Sequence, residues 1–116
     1  MNERIKQKWI KRLRSDKYEQ GEGKLKSNDK YCCLGVLCEI AVEEGIAEWR
    51  EYNNKNYIIS SIDTNISDTS LTRQLRGWAG IEVDDGLMLI AHNDKTFDLE
   101  PGFSFNEIAQ LIEDYL

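Results

Sequence analysis

A chain of 116 residues, 41% hydrophobic and 31% charged, has the size and composition of one globular domain, and its single proline and eight glycines exclude a collagenous or largely disordered character. The net charge is −6 but unevenly placed: residues 1–30 hold ten Lys/Arg against five Asp/Glu, and residues 31–116 hold five against sixteen. An overall negative field disfavours general nucleic-acid binding, whereas a basic first quarter suits a small anionic ligand or the acidic face of another subunit in a homo-oligomer.

The start, MNERIKQKWIKRLR, has no apolar stretch of the kind that leads a secreted chain. The longest apolar run is the eight residues 31 to 38, too short to cross a bilayer. Both point to a cytoplasmic protein without a membrane partner. Three cysteines, two of them adjacent, are an odd set for a disulfide framework and fit reduced thiols in a core.

The chain predicts an α+β fold: a single domain over 1–116, with about four helices packed on a small antiparallel sheet. Residues 3 to 14 form an amphipathic helix, since Ile5, Trp9 and Leu13 recur every fourth position with Ile10 beside them. Residues 17 to 26 read as extended, with Gly21 and Gly23 marking a bend or a close backbone approach. Ser27, Asn28 and Asp29 then offer N-caps to a buried helix from about Tyr31 to Glu44, stopped by Gly45. Gly35 in that helix leaves room for a neighbouring element.

Residues 46 to 60 form a hairpin around Asn53-Asn54-Lys55, and residues 61 to 70 are a polar loop. Leu71, Leu75 and Trp78 define one side of a short helix ended by Gly80. Asp84-Asp85 reads as a solvated turn. The run GLMLIAH that follows is too short for periodicity to choose between helix and strand, and HNDKTFDLEPG is a turn-rich connection. Ser104 and Glu107 make a capping box for a last amphipathic helix carrying Phe105, Ile108, Ile112 and Tyr115.

Several chemistries find no support in this pattern. The only histidine is His92, and no local signature couples it to Cys32, Cys33 or Cys38. A Cys3His metal site is disfavoured, because adjacent helical side chains diverge by about 100° and no C-x2-C knuckle is present. No P-loop or dinucleotide-binding glycine motif appears, so no cofactor is expected. An enzyme of another type would have to use His92, Asp94 and a carboxylate such as Glu39, and nothing in the spacing requires it.

The most suggestive cluster lies near the N-terminus. Trp9, Arg12, Arg14, Lys17, Tyr18 and Gln20 gather aromatic faces, cations and an amide within a dozen residues. Arginine forks suit phosphate and aromatic rings suit bases, so these are the ingredients of a nucleotide pocket. Arg76 beside Trp78 is a weaker pair of the same kind, and Asn93-Asp94 is a compact polar pair after an apolar run. All of these are candidate ligand-binding positions.

Taken together, Trp9-x3-Leu13-Arg14-Ser15, then Tyr18-x-Gln20-x2-Gly23-x-Leu25, then the string YCCLGVLC at 31 to 38, resemble a family of small uncharacterised phage and prophage proteins. The likeness extends to LIAHND, Phe105 and IAQLIED near the end, and is poor over residues 46 to 70. It implies a phage-type accessory protein that acts in a host cytosol by binding. The expectation is sequestration of a small anionic ligand, a nucleotide or cyclic nucleotide immune signal, that antagonises host defence. The alternative is inhibition of a host protein through the acidic surface of residues 81–116, which carry nine acids and one lysine.

Overall fold

The computed structural model describes residues 1–61, 66–94 and 102–116. Among them five helices pack against a small mixed sheet, which confirms the α+β class and adds one helix to the expected number.

The first helix, α1 (Glu3–Leu13), is capped by the Asn2 side chain, which accepts from Ile5 N at 3.0 Å. It buries Ile5, Trp9, Ile10 and Leu13, the stripe its periodicity predicts. Its N-terminus is tied to the rest of the fold by Asn2 N, which donates to Ala79 O. Against α1 lie α2 (Cys33–Glu43) and α5 (Phe105–Tyr115). In α5 the capping box forms: Ser104 Oγ accepts from Glu107 N, and Glu107 Oε1 accepts from Ser104 N.

Helix α2 is the hub of the core, with Cys33, Leu34, Gly35, Val36, Leu37, Cys38, Ile40 and Ala41 all buried. It begins two residues later than its sequence suggests. Ser27, Asn28 and Asp29 do not cap it; they belong to a hairpin between β2 (Lys26–Ser27) and β3 (Lys30–Tyr31). Asn28 and Asp29 both have positive φ, 50° and 64°, the left-handed pair that a two-residue hairpin turn demands. The cap is instead Cys32, whose Sγ accepts from Gly35 N at 3.4 Å. Gly35 permits a close backbone approach: a Cβ there would lie 1.9 Å from Leu25 O.

The sheet runs in the order β1 (Glu19–Gln20), β3, β2, β5 (Asn56–Ser61), β4 (Ala47–Tyr52). Among the described residues only the β1–β3 pairing is parallel. The 46-to-60 hairpin forms as expected, with Trp49 opposite Ile59 and Glu51 opposite Tyr57. It joins the N-terminal strands through Ser27 opposite Asn56. The polar stretch after it is not all loop: β6 (Ile66–Ser67) pairs with Ile59 and Ser60. Part of that stretch, residues 62–65, lies outside the described residues.

Two further helices complete the fold. Helix α3 (Arg73–Ala79) is capped by Thr72 Oγ1. The run that periodicity left undecided is α4 (Val83–Asn93), which places Asp84 and Asp85 in a first helical turn rather than in a solvated turn. Their charges there complement the helix dipole. His92 and Asn93 close α4 instead of opening a turn, and the connection beyond Asp94, residues 95–101, lies outside the described residues. Among the described residues no helix is long and apolar enough to cross a membrane.

Candidate functional site

The exposed face of α1 turns Lys8, Lys11 and Arg12 to one side, because positions 8, 11, 12 and 15 fall within one helical face. Past the helix end, Asp16 takes a positive φ of 61° and reverses the chain. That reversal folds Lys17 and Tyr18 back over the same face. Ser15 braces it: its hydroxyl donates to Arg12 O at 2.6 Å and accepts from Lys17 N. With Glu43 at the end of α2, these residues line a solvent-facing cleft of 490 Å³. That volume falls within the usual range for small-molecule sites.

Four cations and one carboxylate give the cleft a positive potential. Arg12 is fixed in its wall by Glu43 Oε2 and by Tyr18 Oη at 3.3 Å. The Glu43 carboxylate holds the Arg12 guanidinium above its ordinary pKa, and Arg12 in turn pulls Glu43 below the carboxylate range. Lys8 pairs with Glu44 at 3.1 Å. The ammonium groups of Lys11 and Lys17 have no hydrogen-bond or ion-pair partner among the described residues. The cleft thus offers a pre-positioned guanidinium, two free ammonium groups and the ring of Tyr18.

Of the nine candidate positions, Arg12, Lys17 and Tyr18 meet here. Trp9 does not: its side chain is 0% exposed and its Nε1 donates to Cys33 O at 2.9 Å, so it presents no face to a ligand. Arg14 points to the other side of α1, where it binds Gln110 Oε1 and Glu113 Oε2 of α5. Arg76 donates to Leu71 O at 2.9 Å and lines a separate apolar groove with Val83 and Leu87.

Gln20, Asn93 and Asp94 are joined to one another rather than to the cleft. Asn93 is 1% exposed; its Oδ1 accepts from Gln20 Nε2 and Cys33 N, and its Nδ2 donates to Gly21 O and Asp94 Oδ1. These side chains spend their polar atoms holding β1, α2 and α4 together. Sequence reasoning missed Lys8, Lys11, Ser15 and Glu43. The first three were recoverable from helical spacing around Arg12, whereas Glu43 enters from another element.

The cysteines are core residues. Cys32, Cys33 and Cys38 are all buried and free, and burial pushes their thiols up, that of Cys32 to about 12. Among the described residues no group of three or more His, Cys, Asp and Glu is placed to hold a metal ion. His92 Nδ1 is buried without a partner among the described residues, and its ring lies 4.5 Å from that of Phe103. Glu39 accepts from Trp49 Nε1 and Tyr31 Oη.

No curated protein and no solved structure matches the chain. A family model, in contrast, matches it from residue 1 to residue 116, and on that match the chain belongs to the family described as a domain of unknown function, DUF8296.

Proposed function

We propose that this protein binds a small anionic ligand of the nucleotide class in the α1 cleft, and that it serves as a phage-type accessory protein sequestering such a signal from host defence. The observation that carries the ligand class is the convergence of Lys8, Lys11, Arg12 and Lys17 on one cleft beside Tyr18. Two of those cations lack partners, so an incoming phosphate gains charge-assisted hydrogen bonds without breaking existing pairs. The phage context rests on the likeness of the Trp9-to-Cys38 motifs to phage and prophage proteins. Sequestration fits a site that gathers cations and an aromatic ring, with the Ser15 hydroxyl engaged by Arg12 O.

Thermal-shift measurement against a panel of mono-, di- and cyclic nucleotides tests it. A ligand at a hundred times its dissociation constant adds about 2.7 kcal/mol, which moves the melting temperature by several degrees. No shift with any nucleotide at millimolar concentration sinks the proposal.

One observation favours a second function, docking on a basic host protein. Val83 and Leu87 are 48% and 55% exposed on α4, beside Glu82, Asp84 and Asp85. An apolar pair framed by acids is suited to a basic partner with an apolar centre. Reversing the charges of Glu82, Asp84 and Asp85 should abolish capture of that partner from host lysate; retention of every captured partner excludes this surface.

A further inference from the structure

The cleft does not end at Tyr18. The Tyr18 ring meets Tyr31 edge-on with centroids 5.1 Å apart, Tyr31 meets Trp49 at 6.4 Å, and Trp49 meets Tyr57 at 6.3 Å. Four rings from four separate segments form one continuous strip along the flank of α2, each only half-buried. Glu39 of α2 sets the orientation of the middle pair, accepting from Trp49 Nε1 at 2.8 Å and from Tyr31 Oη at 3.5 Å. Over the strip lies Lys26: its Nζ is 4.4 Å from the centroid of Tyr57, 5.3 Å from Tyr31 and 5.4 Å from Trp49.

Rings whose planes cross at 82°, 67° and 73° each offer a separate face beside a cationic cleft, and single-stranded nucleic acids are held by that combination, phosphates on cations and bases on rings. We infer that the strip is the base-stacking half of the site, and that its ligand carries at least two nucleobases. This rests on the cleft being an anion site. Lys26 is the placeholder. Without ligand its ammonium covers the rings; with ligand it moves off them to a phosphate, and a base takes its place. A partly exposed cation–π contact is weaker than base stacking, so the exchange favours the ligand.

The test is calorimetric titration of the full chain with three probes at fixed ionic strength: inorganic pyrophosphate, adenosine monophosphate and a 5′-phosphorylated adenosine dinucleotide. The dinucleotide should bind at least tenfold more tightly than the mononucleotide. Tyr57→Leu and Lys26→Met should each lose at least fivefold for the dinucleotide and leave pyrophosphate affinity unchanged. Lys26→Met leaves the core untouched, so it decides the matter if Tyr57→Leu fails to fold. Equal affinity for mononucleotide and dinucleotide, or full dinucleotide affinity in Lys26→Met, overturns the strip as a base platform while the cleft stands. If the unaltered chain binds none of the three probes, the cleft fails and the strip with it.

Discussion

The backbone nitrogen of Cys33 donates to Oδ1 of Asn93 at 3.2 Å, joining the first turn of α2 to the last turn of α4. A helix leaves its first four N–H groups without internal partners, and α2 starts inside the core where water cannot serve them. Asn93 supplies one acceptor and Cys32 Sγ another. Replacing Asn93 with Ala strands the Cys33 N–H and the Gly21 carbonyl together. The expected cost is about 3 kcal/mol, read as a fall in the urea midpoint. An unchanged midpoint would show that this side chain does not organise the fold.

Gly35 is where α2 touches the chain at Leu25. A methyl group there would meet Leu25 O at 1.9 Å and Leu25 C at 2.8 Å, and both contacts are backbone. Neither can rotate aside as a side chain can. Leu25 O also accepts from Cys32 N at 3.2 Å, so moving it breaks a bond at the helix start. Gly35→Ala should therefore destabilise by about 3 kcal/mol or fail to fold, although alanine is the better helix former. Thermal melting checks it.

Acid should weaken the protein through its carboxylates. Hydrogen bonds from Arg4 and then Lys8 hold Glu44 down to about 2, and Arg12 and Lys24 lower Glu43 and Asp68 in the same direction. A folded-state pKa below the unfolded value stabilises the fold at pH above the unfolded carboxylate range, near 4 to 5. As pH falls from there toward 2, the unfolded chain takes up protons that the folded chain refuses, and the stabilisation is lost. Urea midpoints should thus be flat from pH 7 to 5 and fall below it. Glu44→Gln should reduce that slope.

The three thiols should be silent in the native state. Each is buried and its pKa is raised by desolvation, so almost no thiolate is present at neutral pH. Ellman's reagent should titrate no cysteine in buffer and all three after denaturation. Prompt reaction of even one thiol in the native protein would contradict the burial.

Lys11 and Lys17 separate binding from stability. Neither ammonium has a hydrogen-bond or ion-pair partner among the described residues, so Lys11→Glu with Lys17→Glu should leave the melting temperature within a degree or two. The same pair should weaken nucleotide binding at least tenfold, because two attractive charges in the cleft become repulsive. Unchanged affinity would place the ligand elsewhere.

The helices were largely legible because their signals are local. The stripe of Ile5, Trp9 and Leu13, the Ser104–Glu107 box and Gly45 with its φ of 77° each act within a few residues, where a turn of helix closes or ends. The 46-to-60 hairpin was legible for the same reason. Three features were not. Asn28 and Asp29 suit both an N-cap and a left-handed turn, and the pairing of β2 with β3 selects the turn. Ile66 and Ser67 look like loop and become strand because β5 offers them a free edge. The run before His92 carries no decisive period and becomes helix as it packs on α2.

By itself the sequence determined an α+β domain, a buried helix at YCCLGVLC and a basic aromatic segment ahead of it. Periodicity reports which side of an element leaves water, and that information is carried in neighbouring residues. It does not report which partner a polar side chain finds. Trp9 and Asn93 look available for a ligand and are consumed by Cys33, 24 and 60 positions away. Lys11 and Glu43, unremarkable in the chain, come to share a cleft. Only tertiary structure decides this, because a buried donor or acceptor must be satisfied by whatever the fold brings within hydrogen-bond distance, however distant it is along the chain.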